Sequence, residues 1–228
     1  GCVNDVINLK EKLQEKMSIQ CDCYTSEKDT SYDNMIKVLY NLAIDSYKYD
    51  LEYAFISYSG HGSYTYDKNG DEKDGKDEGL VPSDYNIKGL IIDDILQDII
   101  ASFNPDTKIF IICDACHSGT MIDIKYRWIT HTSVTLENIA CKIDSRVTYL
   151  SGCRDSQVSM DVFDLKNEKK YTGALTSCFL LALDLTHDNN IFTLIDKIRN
   201  LLSTKGFDQY PCLSSTYNLY RDPRIFPI

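Results

Sequence analysis

Over residues 1–17, Val3, Val6, Ile7, Leu9 and Leu13 stand among Lys and Glu at helical spacing, which predicts an amphipathic helix. A short strand or loop is expected around Cys21–Tyr24. Ser31–Tyr47 reads as a second helix, with Met35, Ile36, Val38, Leu39, Leu42 and Ala43 as its buried stripe. The texture then changes. Tyr53–Tyr58 is short, β-prone and stopped by Ser59-Gly60-His61-Gly62, the form of a buried parallel strand. A polar stretch, Tyr66–Glu78, precedes a third expected helix, Ile91–Phe103, which opens with Asp93-Asp94. Lys108–Cys113 is the clearest buried strand and runs into Asp114-Ala-Cys116-His-Ser-Gly119. Residues 124–144 have weak periodicity and read as a connection. Arg146–Leu150 is another strand, Gly173–Leu185 and Ile191–Leu202 are helices, and Leu213–Tyr217 is the expected final strand.

Strands alternating with helices predict an α/β fold, a mostly parallel sheet covered by helices on both faces. Ligands bind such sheets outside the carboxyl ends of the strands. His61, Cys116 and Ser151-Gly-Cys153 each follow a strand, so they are expected to meet along one edge.

Composition narrows the function. The 24 basic side chains against 34 acidic ones give a formal charge of −10, which argues against a phosphate-neutralising surface and so against nucleic-acid binding. The longest apolar runs, Ile109–Cys113 and Phe179–Leu183, fall far short of the roughly 18 residues of a membrane span. Nine irregularly spaced cysteines and the absence of any Asn-x-Ser/Thr acceptor fit a reducing compartment, and a cytoplasmic, monomeric protein is expected. The first residue is Gly1 rather than Met, so a preceding segment, including a removed targeting signal, is compatible with this reading.

The chemistry suggested by the strand ends is that of a thiol hydrolase. Such an enzyme needs a thiolate, an imidazole to manage its proton, and donors for the developing oxyanion. Cys116 and His61 are both followed closely by glycine and can face a common groove; Gly62 lets backbone approach a substrate closely. The N–H groups of Gly62 and Cys116 are the candidate oxyanion donors. Cys113, Cys141, Cys178 and Cys212 read as inert core thiols, and Cys113-x-x-Cys116 lacks the second pair that a zinc site needs. Asp114 lies two residues before the cysteine, on its side of the strand, where a carboxylate would pair with an entering Arg or Lys. Read alone, Asp114 also fits a cap or turn residue, and Asp5 is better read as a helix-start carboxylate favoured by the dipole.

Four segments in order carry a family likeness: Tyr58-Ser-Gly-His-Gly62, Asp74-Gly-Lys-Asp-Glu78 with Val81-Pro82, Asp114-Ala-Cys-His-Ser-Gly119, and Leu150-Ser-Gly-Cys-Arg-Asp-Ser-Gln157. With the C-terminal Gln209-Tyr-Pro-Cys-Leu-Ser-Ser215 they resemble the motif set of the metacaspases, caspase-fold cysteine peptidases. The 55 residues between His61 and Cys116 are close to the interval of about 50 in caspases. The resemblance implies a three-layer caspase-like sandwich over residues 1–228. Its large-subunit-like part is about 1–125, its connecting segment about 126–144 and its small-subunit-like part about 145–228. It also implies a further strand before Gly1, because the family carries one ahead of its Gly-Cys-x-x-Asp motif. His61 becomes the general base and Cys116 the nucleophile, cleaving after Arg or Lys. The short linker resembles the compact type I arrangement. The pocket for the basic side chain would use Cys2 and Asp5 of Cys2-Val-Asn-Asp5, Ser59 and Asp114.

Calcium is the implied cofactor, activating rather than catalytic. Asp67, Asn69, Asp71 and Glu78 mimic part of an EF-hand loop, but Glu72 stands where that loop needs glycine. The resemblance instead implies Asp77, Asp93, Asp94 and Asp123, drawn from separate segments. On physical grounds alone these are separately solvated carboxylates, the middle two complementing a helix start. Self-processing is a related family trait, with Lys125, Arg127, Lys142, Arg146 and Lys166–Lys170 as candidate points. A catalytically silent scaffold acting through protein partners, and a different hydrolase or sensor of the same broad fold, are the competing readings.

Overall fold

The structure, a computed structural model, describes residues 1–17, 20–66, 75–116, 118–119, 121–152, 161–163 and 171–225. Two helices come first, α1 (Cys2–Met17) and α2 (Tyr32–Lys48). Then follow β1 (Tyr53–Ser59), β2 (Gly62–Tyr66), β3 (Lys76–Leu80), the single turn α3 (Tyr85–Lys88), β4 (Ile91–Ile92), α4 (Asp93–Ala101) and β5 (Lys108–Asp114). The second half holds β6 (Tyr126–Thr130), β7 (Ser133–Leu136), β8 (Arg146–Ser151), β9 (Asp161–Phe163), β10 (Tyr171–Gly173), α5 (Ala174–Leu185), α6 (Ile191–Thr204) and β11 (Cys212–Ser215).

The main sheet has six strands in the order β1-β5-β8-β11-β6-β7. β1, β5 and β8 are mutually parallel, and β11 opposes both β8 and β6, so four of the six point the same way. Strand alternation sorts the side chains into two cores. From β5, Phe110 and Ile112 join Leu9 and Leu13 of α1 and the buried faces of α5 and α6. Ile109, Ile111 and Cys113 point the other way, onto Ala43 of α2 and Leu96, Ile99 and Ile100 of α4. This is the expected three-layer α/β sandwich with a mixed sheet.

Three departures from the sequence reading have physical causes. Ile91 and Ile92 do not begin a helix; they pair with Gly79 and Leu80 of β3, and the helix starts at Asp93. The polar stretch ending at Glu78 contributes β3, which pairs antiparallel with β2. The span read as a connection contains the β6–β7 hairpin at the edge of the main sheet. Its periodicity is weak because only Trp128 is buried among the residues of these two strands.

In α1 the buried stripe is Asp5, Leu9 and Leu13, spaced one turn apart, while Val3 and Ile7 are exposed. A carboxylate therefore sits on the core face of the first helix. That placement matters for the site.

Candidate active site

Register brings the backbone segments that carry His61 and Cys116 together. β1 and β5 pair in parallel with Tyr58 opposite Cys113 and Ser59 opposite Asp114. The Gly60 N–H then donates to the Asp114 carbonyl at 3.2 Å, extending the pairing past the strand. His61 and Cys116 each lie two residues beyond the last paired position. A Cβ built on Gly62 would fall 1.9 Å from the Cys116 carbonyl oxygen, so the two loops touch and only glycine fits. The His61 carbonyl accepts from the Tyr58 hydroxyl at 2.9 Å and from the Val81 N–H at 3.0 Å. Burial holds the Tyr58 phenol above its usual range, which keeps it a donor. With its backbone fixed, His61 presents its side chain to solvent, and Cys116 stands half-buried as a thiol.

The loop after the cysteine is held by a residue that the sequence reading left without a role. Ser118, fully buried, donates to the Ala115 carbonyl at 2.8 Å and accepts from the Gly152 N–H at 3.2 Å. Its own carbonyl accepts from the buried Tyr149 hydroxyl at 2.5 Å. The Gly152 N–H also reaches the Cys113 carbonyl at 2.8 Å. The third strand end thus buttresses the second, as expected for Ser151-Gly152; Cys153 lies outside the described residues.

Beside the His61 and Cys116 loops lie two buried carboxylates. Phe55 of β1 packs into the α1–α5 core, so Ser59, four residues on, faces the same way. Its hydroxyl donates to Asp5 Oδ2. Asp5 Oδ1 accepts from the Gly173 N–H at 2.9 Å. Asp114, on the same face of β5 as Phe110 and Ile112, places Oδ2 against the Thr176 N–H (2.8 Å) and hydroxyl (2.9 Å). Asp5 and Asp114 are 1% and 4% exposed. Desolvation pushes the Asp5 carboxyl up to about 6; bonds from Ser59 and Gly173 oppose this, and the Asp114 charge adds to it. Cys2 and Ser59 line a cleft of about 220 Å³ that also takes in His61 and Tyr58. Of the four residues expected to bind the basic side chain, Cys2 and Ser59 line this cleft with His61, Asp5 is hydrogen-bonded to Ser59 beneath it, and Asp114 lies against Gly173.

A sequence profile of the metacaspase, peptidase C14 domain matches residues 1–125. The chain belongs to the metacaspase family. It is 32% identical over 230 residues to Metacaspase-1 of Arabidopsis thaliana, covering 91% of this chain and 61% of that protein. It is 27% identical to Metacaspase-1A of Aspergillus terreus, over 96% of this chain and 66% of that one. The chain thus spans less than two thirds of the length of these metacaspases. A solved protein from Geobacter sulfurreducens has the same fold, with a TM-score of 0.67 at 20% identity over 100% of this chain and 88% of its own.

The four aspartates that the metacaspase resemblance assigns to calcium lie on β3, at the start of α4 and between β5 and β6. Asp77 and Asp93 are buried on neighbouring elements, with Glu78 buried beside them in sequence. Both Asp93 oxygens accept backbone N–H groups, from Glu78 at 2.9 Å and Asp94 at 2.8 Å. Asp123 has a left-handed backbone, φ 46°, and its carbonyl accepts from Gln97 and Asn138. Among the described residues no three His, Cys, Asp or Glu side chains form a metal-holding group. The carboxylate oxygens are the donor chemistry that suits a hard cation.

The core thiols behave as expected. Cys113, Cys178 and Cys212 are buried, Cys141 is half-buried, and burial pushes the Cys178 thiol up to about 11. Asp67, Asn69, Asp71, Glu72, Asp74 and Lys166–Lys170 lie outside the described residues. No helix of the described residues is long and apolar enough to cross a membrane.

Proposed function

We propose that this chain is a cysteine endopeptidase that cleaves after Arg or Lys with His61 and Cys116 as its dyad, is stimulated by calcium, and processes itself. The observation that carries this reading is the contact of Gly62 with the Cys116 carbonyl, which puts the imidazole and thiol loops side by side next to two buried carboxylates.

His61 takes the proton of the Cys116 thiol, and the thiolate attacks the scissile carbonyl carbon. The oxyanion that forms is held by the N–H groups of Gly62 and Cys116. Collapse of this intermediate breaks the C–N bond and keeps the new S–C bond; the imidazolium protonates the leaving amine. Water, deprotonated by His61, then hydrolyses the thioester. The preceding basic side chain lies between Asp5 and Asp114, where a buried anion pair favours a guanidinium or ammonium group. A basic pocket, as a peptidase for Asp substrates needs, is not what these residues build.

Calcium would act away from the reacting atoms. The Asp77–Glu78 strand continues through β3 into the His61 hairpin, so a cation drawing Asp77, Asp93, Asp94 and Asp123 together would stiffen that hairpin. The partners implied are proteins or peptides bearing basic residues, with no nucleic acid or membrane, met by a monomer in the cytoplasm.

The deciding measurement is hydrolysis of a fluorogenic arginyl peptide with and without calcium. Turnover is expected from the parent protein, none from Cys116→Ala or His61→Ala, and calcium-independent residual turnover from Asp93→Asn/Asp94→Asn. Undiminished hydrolysis by Cys116→Ala overturns the dyad; unchanged calcium stimulation in the double variant overturns the metal site. A parent that binds partners but turns over nothing supports the scaffold reading.

A further inference from the structure

Asp114 does more than face a pocket. α5 begins at Ala174 behind Gly173, whose missing side chain leaves the helix start without a cap of its own. The carboxylate of Asp114 fills that role from β5, through the Thr176 N–H at 2.8 Å. A Cβ on Gly173 would lie 2.1 Å from Asp114 Oδ2, so glycine leaves the space that the carboxylate occupies. Capping needs only the N–H. The Thr176 hydroxyl adds a second bond, 2.9 Å long, to the same oxygen. Two donors on Oδ2 fix the carboxylate's rotation and hold Oδ1 on the side of Gly152, 3.3 Å from where a Cβ of that glycine would stand. The same turn of chain holds the second carboxylate, because the Gly173 N–H donates to Asp5 Oδ1 at 2.9 Å. The span Gly173–Thr176 therefore sets the spacing and orientation of both anions.

We propose that Thr176 is a positioning residue for recognition of the basic substrate side chain: its hydroxyl orients the Asp114 carboxylate for the incoming cation. This rests on the proposed preference for Arg or Lys. Thr176 is buried and both its donors go to Asp114, so it acts through that carboxylate. Both its donors, at the positive end of a 12-residue helix, also favour the charged carboxylate, so losing one weakens the pocket most at low pH.

The test compares Thr176→Val, which keeps shape and backbone N–H but loses the hydroxyl, with Thr176→Ser, which keeps the donor. Thr176→Val is expected to raise KM for an arginyl peptide about ten-fold with kcat within about two-fold, and Thr176→Ser to stay within about two-fold of the parent in both. The acid limb of kcat/KM should move to higher pH in Thr176→Val alone. Binding of the uncleaved arginyl peptide is measured in parallel on Cys116→Ala protein with each Thr176 substitution, and should show the same ten-fold loss and its rescue by Ser. Thr176→Ala replaces Val should the latter fail to give a cooperative melt. An unchanged KM, affinity and acid limb in Thr176→Val, or failure of Ser to restore them, overturns the proposal while leaving the peptidase reading intact. A Cys116→Ala protein that binds no arginyl peptide overturns the preference itself and this inference with it.

Discussion

Asp5 shows what a single residue contributes at this site, and at what cost. Its spacing with Leu9 and Leu13 puts it on the core face of α1, and burial there raises its carboxyl from 3.8 to about 6. Between those values the folded protein holds a proton that the unfolded chain has released, so stability falls as pH rises through the window. Above about 6 the charged group is retained at a cost of about 3 kcal/mol by linkage. Asp5→Asn removes that cost. It should be more stable than the parent at pH 8 by about 1–3 kcal/mol, with the gap closing by about pH 4, in urea melts across that range. The same variant should bind an arginyl peptide more weakly at pH 8. Equal stability at both pH values would show that Asp5 is not a strained buried charge. Without the family resemblance the sequence favoured a helix-start carboxylate for Asp5; the signal that separates the two readings is its one-turn step to Leu9 and Leu13, which a dipole argument ignores.

At the scale of elements, the active site is two strand-to-loop exits braced by a third. Ser118 supplies the brace, joining Ala115 behind the nucleophile to Gly152 at the end of β8. Ser118→Ala leaves the Ala115 carbonyl and Gly152 N–H short of one partner each in a buried site, an expected loss of about 1–3 kcal/mol in stability. Because the loop carrying Cys116 loosens while the pocket stays, kcat should fall more than KM rises. A KM effect alone would place Ser118 with the pocket instead. Elements with long apolar runs, β1, β5, β8, α5 and α6, were legible because burial on both sides or along one stripe leaves a pattern. The His61 hairpin β2–β3 was not. Its strands carry Gly, Ser, Thr, Lys, Asp and Glu, and they pair through backbone rather than through apolar side chains. The adjacency of the His61 and Cys116 loops was legible for a topological reason, since parallel strands of one sheet must end on one edge. The pocket's back wall was not, because Thr176 enters from α5, some 60 residues away from Asp114 in sequence.

Over the whole molecule, the candidate processing points separate by environment. Arg127 lies within β6, paired with β11 and β7, and Arg146 opens β8 with its guanidinium 2.6 Å from Asp222 and stacked on Tyr217. A peptide bond inside a paired strand cannot extend into an active-site groove without unzipping the sheet. Lys142 lies outside the strands and meets no such barrier, whereas the Lys125 carbonyl accepts from the Glu137 N–H at 3.0 Å and the bond after it leads into Tyr126, paired with both β11 and β7. Cleavage after Lys142 would divide the chain between β5 and β8, yet those strands stay hydrogen-bonded from Lys108–Arg146 to Cys113–Ser151. Leu9 and Leu13 of α1 share a core with Ala174–Ile225, and Lys12 and Lys16 both pair with Asp184. Two fragments so joined bury too much apolar surface to part in water. After calcium is added, a denaturing gel should therefore show two pieces with a new N-terminus following Lys142, while gel filtration shows one peak of unchanged volume. Adding urea should split that peak in the same concentration range in which the fragments' helix signal is lost. N-termini following Arg127 or Arg146 while the sheet remains folded would contradict the argument, and dissociation in buffer would mean that the interface between β5 and β8 is weaker than its pairing and packing require.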